Sequence, residues 1–178
     1  DSSNNYGGSI SWVNSKNVTI DSCTFNNENA VQTGGSLFLN NTDATIKNSK
    51  FNDTRCSWNA GGAIYANGNV TIQDSSFENC NALNELGTAV YFYKGNSSVI
   101  SSNFSKSLNP ILINKGAGVN LTKNNVADSA SGTYSVWTDG DLWLDKNVFD
   151  NHIYNNGTNW TKTYTYMLNN DIWEEERN

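Results

Sequence analysis

The chain holds few residues that could do chemistry. His152 is its only histidine and is followed by Ile153 and Tyr154. Arg55 and Arg177 are the only arginines, and neither falls in a stretch that reads as a strand. Hydrolysis of a glycosidic bond needs two carboxyl groups flanking that bond, and no Asp-Asp pair is present. Asp139-Gly140-Asp141, with Asp145 and Asp150 beyond, could offer oxygens to a calcium ion. The spacing does not complete a calcium-binding loop, and Asp-Gly more often makes a plain turn. Asp139, Asp141 and Asp145 are therefore candidate ligands only, and neither a metal site nor a cofactor is expected.

Three cysteines, Cys23, Cys56 and Cys80, leave two readings open. They are small buried residues, or Cys56 and Cys80 on adjacent turns of the chain form a disulfide and leave Cys23 unpaired. No Cys-x-x-Cys occurs, which argues against a structural zinc.

The elements that must position these residues come from a repeat. Gly61 to Asn79 reads GGAIYANGNVTIQDSSFEN, and related copies begin at Gly34 and Gly7. Phe25, Phe51 and Phe77 mark a period of 26 residues. Such a period signals a solenoid. Val18-Thr19-Ile20, Ala44-Thr45-Ile46 and Val70-Thr71-Ile72 alternate apolar with polar, the pattern of a strand with one buried face. No helical periodicity is visible. The expected fold is all-β, a right-handed parallel β-helix of about six coils. Ile20, Ile46 and Ile72 should form one inward ladder, Phe25, Phe51, Phe77 and Phe104 a second, and Ile10, Leu37 and Ile64 a third.

Later copies shorten. The Phe-equivalent spacing falls to 22 at Val126 and 23 at Phe149, so the cross-section should narrow toward the C-terminus. Residues 1–159 are assigned to the β-helix. Residues 160–178 are assigned to a C-terminal cap or a linker to a following domain. There, Trp160 to Leu168 reads as one longer strand, and Asp171 with Glu174 reads as a capping box for a short helical turn.

In the first strand of each copy, the residue after the inward aliphatic should point outward. That column reads Ser11, Phe38, Tyr65, Tyr91 and, two coils on, Trp137, with Leu112 in the intervening coil. Tyr93 shares the parity of Tyr91. Rings at strand spacing would make an apolar strip suited to stacking on sugars or packing against a protein. The other reading is that a loop or neighbouring domain covers the strip. Phe38, Tyr65, Tyr91, Tyr93 and Trp137 are the candidate ligand-binding residues.

Composition bounds the partners. Net charge is −6 over 178 residues, which argues against nucleic acid. No apolar run approaches the length that spans a membrane, so no membrane insertion is expected of this stretch. The chain opens in mid-pattern at Asp1, which reads as a piece of a longer, multidomain protein. Nine Asn-x-Ser/Thr sequons, among them Asn17, Asn69 and Asn120, are glycosylation candidates in a secreted chain. The repeat itself also generates them, by placing Asn in a bend and Thr on the following strand.

Gly61-Gly62-Ala63-Ile64 followed by Phe77-Glu78-Asn79 resembles the repeats of chlamydial polymorphic outer-membrane proteins. The Asn-Val-Thr-Ile and Asn-x-Phe style is similar to adhesin-like surface proteins of methanogenic archaea. Both are pectate-lyase-like right-handed β-helices, and the resemblance covers about residues 7–150. It implies a non-catalytic adhesin fragment at the cell surface, extracellular, binding a glycan or protein on a neighbouring cell through an exposed face. The same resemblance raises an alternative, a polysaccharide lyase or glycoside hydrolase. Asn41-Thr42-Asp43 looks like the first motif of polygalacturonases, but the Asp-Asp, Gly-His-Gly and Arg-Ile-Lys motifs are missing. An inert stalk is a third reading.

Overall fold

The computed structural model describes residues 2–3, 6–130 and 133–167. Every strand pairing in it is parallel, and each coil lies in register on the next. Three sheets run the length of the molecule. The first holds Ile10–Val13, Leu37–Asn40, Ile64–Asn67, the start of Val90–Ile100, Ile111–Ile113, Tyr134–Thr138 and His152–Asn155. The second holds Val18–Asp21, Ala44–Lys47, Val70–Gln73, the end of Val90–Ile100, Ala117–Thr122, Asp141–Asp145 and Trp160–Thr163. Thr24–Asn26 begins the third, a seven-stranded sheet ending at Tyr166–Met167. In the fourth copy one eleven-residue strand, Val90–Ile100, runs from the first sheet into the second.

The inward ladders are those the repeat predicts. Ile20, Ile46 and Ile72 pair in register and continue through Val99, Leu121 and Leu144, all buried. Phe25, Phe51, Phe77 and Phe104 stack with centroids 4.7–4.8 Å apart and planes within 8°. Leu37 and Ile64 are fully buried, while Ile10, on the first coil, is half-buried. Stacking like on like lets each coil bury its apolar side chains against the next at the strand spacing.

A fourth, short sheet explains the change of period. It consists of Ser2–Ser3, Asn29–Ala30, Arg55–Cys56 and Asn81–Ala82 and then stops. The copies of 26 and 27 residues carry this extra strand, and the shorter ones beyond Phe104 do without it.

The glycine pairs have distinct tasks. Gly34 and Gly61 adopt φ of 68° and 83°, in the left-handed region. Their partners Gly35 and Gly62 are held by space: a Cβ on Gly62 would lie 2.1 Å from the Thr88 carbonyl oxygen and 2.2 Å from that of Asn81. Two segments of backbone cross at that point, and only glycine admits both.

Corners elsewhere rest on single left-handed residues. Ser22, Asn48, Asp74, Ser101, Lys123, Lys146 and Tyr164 stand at equivalent positions with φ of 47–60°. Immediately after each comes a residue of a polar ladder. Ser49, Ser75, Ser102, Asn124, Asn147 and Thr165 are buried one above another. The backbone N–H of Ser49 donates to Ser75 Oγ, that of Ser75 to Ser102 Oγ, that of Ser102 to Asn124 Oδ1, and that of Asn124 to Asn147 Oδ1, at 2.9–3.2 Å. These corner amides lie between sheets and have no ladder carbonyl to meet, so the side chains satisfy them.

The cysteines sit in three different columns. Cys23 begins the polar ladder, its N–H donating to Ser49 Oγ at 3.2 Å. Cys56 aligns with Ala30 and Ala82. Cys80 stacks between Thr54 and Ser107: its Sγ accepts from Thr54 Oγ1 at 3.3 Å, and its N–H donates to Ser107 Oγ at 3.0 Å. The alternative Cys56–Cys80 disulfide is therefore corrected; all three thiols are free, two of them buried. Register is fixed by the offset from phenylalanine, and Cys56 and Cys80 stand at different offsets.

The strand expected over Trp160–Leu168 is also corrected. Tyr164, at φ 47°, breaks it into Trp160–Thr163 and Tyr166–Met167, which pair with Leu142–Asp145 and Val148–Phe149. Residues 160–167 thus add another rung to the second and third sheets. The capping box at Asp171 and Glu174 lies outside the described residues. Arg55, expected outside any strand, is in the two-residue strand Arg55–Cys56, and Arg177 lies outside the described residues.

Candidate functional site: an aromatic cleft on the first sheet

Alternation along the first sheet turns one residue of each rung outward. Register joins Ser11, Phe38, Tyr65, Tyr91, Leu112, Trp137 and Tyr154 in one column. Leu112 occupies the ringless rung and is only 9 % exposed. Among the described residues no ring contact crosses it, so the aromatics fall into two groups rather than one strip.

The first group surrounds Tyr65. Phe38 and Tyr65 lie 4.9 Å apart at 18°, and Tyr6 tilts onto Phe38 at 4.5 Å. A centroid distance of 4.9 Å exceeds the thickness of an aromatic ring, about 3.5 Å. The two rings therefore stand one strand spacing apart, nearly parallel, rather than in close face-to-face contact. Tyr91 is turned across Tyr65 at 77° and 5.8 Å. Tyr93 projects beside it because of a bulge: Ala66 pairs with Phe92 but Asn67 with Lys94, leaving Tyr93 as the extra residue. Its ring lies 5.7 Å from Tyr65 and 5.8 Å from Tyr91.

These rings line a cleft of about 620 Å³, together with Ser11, Val13, Gln32, Thr33, Asn40 and Asn59. Gln32 and Asn59 belong to the bends that lead into the first sheet and lie on successive coils, the Asn59 N–H donating to the Gln32 carbonyl. Asn40 closes its strand on the other side, and its Oδ1 accepts from Asn67 Nδ2 at 2.8 Å. Burial, followed by the neighbouring Tyr93 and Tyr91, pushes the Tyr65 phenol up to about 12. Burial likewise raises Tyr91, with smaller contributions from Tyr93 and Asp139. Both hydroxyls stay protonated, able to donate, across the physiological range.

The second group is tighter. Trp137 and Tyr154 stack at 4.1 Å and 25°, with Tyr134 edge-on at 5.5–5.6 Å. Sequence reasoning found Trp137 but missed Tyr134 and Tyr154. The alternation His152, Tyr154 one rung later carried the signal for Tyr154. Tyr6 had none, because its equivalents in the next two copies are Thr33 and Ala60.

The carboxylates of the C-terminal coils do not converge. Asp139 and Asp141 border a separate cleft of about 580 Å³. Asp139 Oδ1 accepts from Asn156 Nδ2 at 3.3 Å, and Asp141 Oδ1 from Asn159 Nδ2 at 3.2 Å. Asp145 lies four residues along the same strand, about 13 Å away, beside Lys146. No cluster of three metal-binding side chains occurs among the described residues.

Asn41-Thr42-Asp43 forms a corner. Thr42 is buried, its Oγ1 donating to the Asn40 carbonyl at 3.0 Å, and Asp43 Oδ1 accepts the Asn69 N–H at 2.9 Å. Asn69 repeats the contact one coil on, its Oδ1 accepting the Asn96 N–H at 2.9 Å. The sequon at Asn69 thus includes a residue that serves the turn. Arg55 is exposed and borders a small polar cleft with Glu28 and Asp53.

Stacked parallel strands, in-register ladders and an aromatic outer column define a β-solenoid protein. The family model described as right handed beta helix region matches residues 2–149, and the chain belongs to that family. No curated protein and no solved structure matches it.

Proposed function

We propose that this domain is a non-catalytic binding module of an extracellular surface protein, an adhesin, that holds a glycan or protein of a neighbouring cell against its first sheet. The observation that carries the reading is the cleft around Tyr65, where five aromatic side chains converge beside unburied amides. Aromatic surface left half-exposed outside the buried ladders is a recognition feature. The family hosts many functions on one fold, so the site and not the fold supports this reading.

Arg55 favours a second reading, a polysaccharide lyase, because it lies on a strand with Glu28 and Asp53 beside it. Its chemistry would need the guanidinium to take the proton from the sugar as a base. One experiment separates the two. The purified chain is tested for binding on a glycan array and for release of unsaturated or reducing sugar from the polysaccharides it meets. Binding without turnover, lost with Tyr65, supports the module. Turnover lost in Arg55→Ala would support the lyase instead.

A further inference from the structure

We infer that the cleft around Tyr65 takes an uncharged oligosaccharide, a segment of a neutral glycan lying across three rungs of the first sheet. The inference rests on the aromatic face being the binding surface and specifies what occupies it.

Three observations point to this chemistry. The floor is aromatic but not flat. Phe38 and Tyr65 stand nearly parallel at 4.9 Å and Tyr91 crosses Tyr65 at 77°, so rings in different orientations are offered at steps of one strand spacing. Such surfaces pack against the C–H faces of sugar rings. The rungs from Phe38 to Tyr91 span two strand spacings, about 10 Å, which suits a short stretch of a glycan rather than a single small molecule.

Amides flank the floor. Gln32 and Asn59 stand on one bank and Asn40 on the other. Among the described residues the side-chain amides of Gln32 and Asn59 make no hydrogen bond to the protein, and Asn40 uses its oxygen on Asn67 while its amide N–H groups face no protein acceptor. An amide offers both a donor and an acceptor, as a hydroxyl does, and can meet an equatorial hydroxyl with either. The raised phenols of Tyr65 and Tyr91 add donors that do not ionise near neutrality.

No Lys, Arg, Asp, Glu or His lines the cleft. The nearest cation is Lys94, whose Nζ lies over the Tyr93 ring at 5.9 Å, with Asp139 acting on Tyr91 from the other side. A uronate, sialic acid or sulfated sugar would bring its anion against a lining that holds no cation of its own, which costs binding free energy. A protein partner is less well matched. Specific interfaces bury about 800 Å² on each side around an apolar centre, whereas this cleft, of about 620 Å³, falls in the range of small-ligand sites, about 300–1,000 Å³.

The test uses the 178-residue chain on an array bearing neutral gluco-, manno- and galacto-oligosaccharides beside uronate, sialylated and sulfated ones. Affinities of the positives are then measured by titration at low and high salt. Neutral glycans should bind, with little dependence on salt. Tyr65→Ala should weaken them at least about tenfold, and Gln32→Ala with Asn59→Ala about threefold or more. The amide variants leave the ring stack in place, so they report on the ligand and not on folding. Binding only to anionic glycans, weakened by salt and lost in Tyr65→Ala, would overturn the neutral class and leave the aromatic surface standing. No glycan bound would also overturn it. Binding that survives Tyr65→Ala in a folded protein would overturn both.

Discussion

Asn124 and Asn147 lie one above the other in the same corner of adjacent coils, and the backbone N–H of Asn124 donates to Asn147 Oδ1 at 2.9 Å. Asn147 Nδ2 reaches the Leu121 carbonyl at 2.8 Å, so one buried amide satisfies two backbone groups. Asn124 does the same for the Ser102 N–H and the Val99 carbonyl. Replacing Asn124 or Asn147 by alanine strands a donor and an acceptor in the core. Each substitution should cost about 2–4 kcal/mol, measured by urea unfolding with an unchanged m-value. A loss below about 0.5 kcal/mol would mean that water fills the corner.

The inward ladder gives a harsher outcome. Ile46 and Ile72 are fully buried against one another and their neighbours. Ile46→Asp or Ile72→Asp places an unpaired charge there, costing several kcal/mol. Circular dichroism should show an unfolded chain at 25 °C. A variant that melts like the parent would contradict the inward assignment.

Gly62 and Gly116 make a contrasting pair. A Cβ at Gly62 collides with two backbone oxygens, whereas at Gly116 it meets nothing within 4 Å. Gly62→Ala should prevent folding or leave a grossly destabilised chain. Gly116→Ala should cost only its left-handed backbone, φ 96°, about 1–2 kcal/mol. Equal melting temperatures for the two variants would contradict the close approach.

Alkaline pH should unfold the domain before mild acid does. Burial raises Cys56 to about 11, Cys80 to about 12 and Tyr65 to about 12, from ordinary values of 9 and 10. A group held neutral in the folded state stabilises fully below its unfolded pKa. That stabilisation is lost as pH climbs toward the folded pKa, here between about pH 9 and 12. The midpoint in urea should be steady from pH 7 to 8.5 and fall above pH 9. Cys23, exposed, should react with iodoacetamide at pH 8 in the native protein, and Cys56 and Cys80 only after denaturation. A disulfide-linked pair of peptides, or rapid native labelling of Cys80, would contradict the column arrangement.

How far the fold could be read in advance follows from which residues repeat. Phe25, Phe51 and Phe77 recur because each must fill the same volume under the last, so the period was written in large side chains. The polar ladder was not legible. Ser49 and Ser75 are buried while Ser22 and Ser101, in the same dipeptides, are exposed, and type alone does not separate them. Tyr164 hid the tail's last rung, because a left-handed corner usually filled by Asn, Asp or Ser here carries an aromatic. The disulfide reading counts Cys56 and Cys80 as neighbours because they fall on adjacent coils, whereas alignment depends on offset from phenylalanine. At the candidate site, parity located Phe38, Tyr65, Tyr91, Tyr93 and Trp137. The bulge that sets Tyr93 beside Tyr65, the ring of Tyr6 and the amides of Gln32 and Asn59 come from tertiary placement that no periodicity records.

Binding by the double variant Tyr65→Ala, Tyr91→Ala beside Trp137→Ala, with a melting curve for each, tests the cleft as the working surface. The rings of the first group are half-buried and packed on one another, so the double variant should lose about 1–3 kcal/mol and melt lower by no more than about ten degrees, still fully folded at 25 °C. It should lose all measurable binding to the surface ligand, while Trp137→Ala, in the group beyond Leu112, should retain it. A folded double variant that binds like the parent would contradict the aromatic cleft as the working surface.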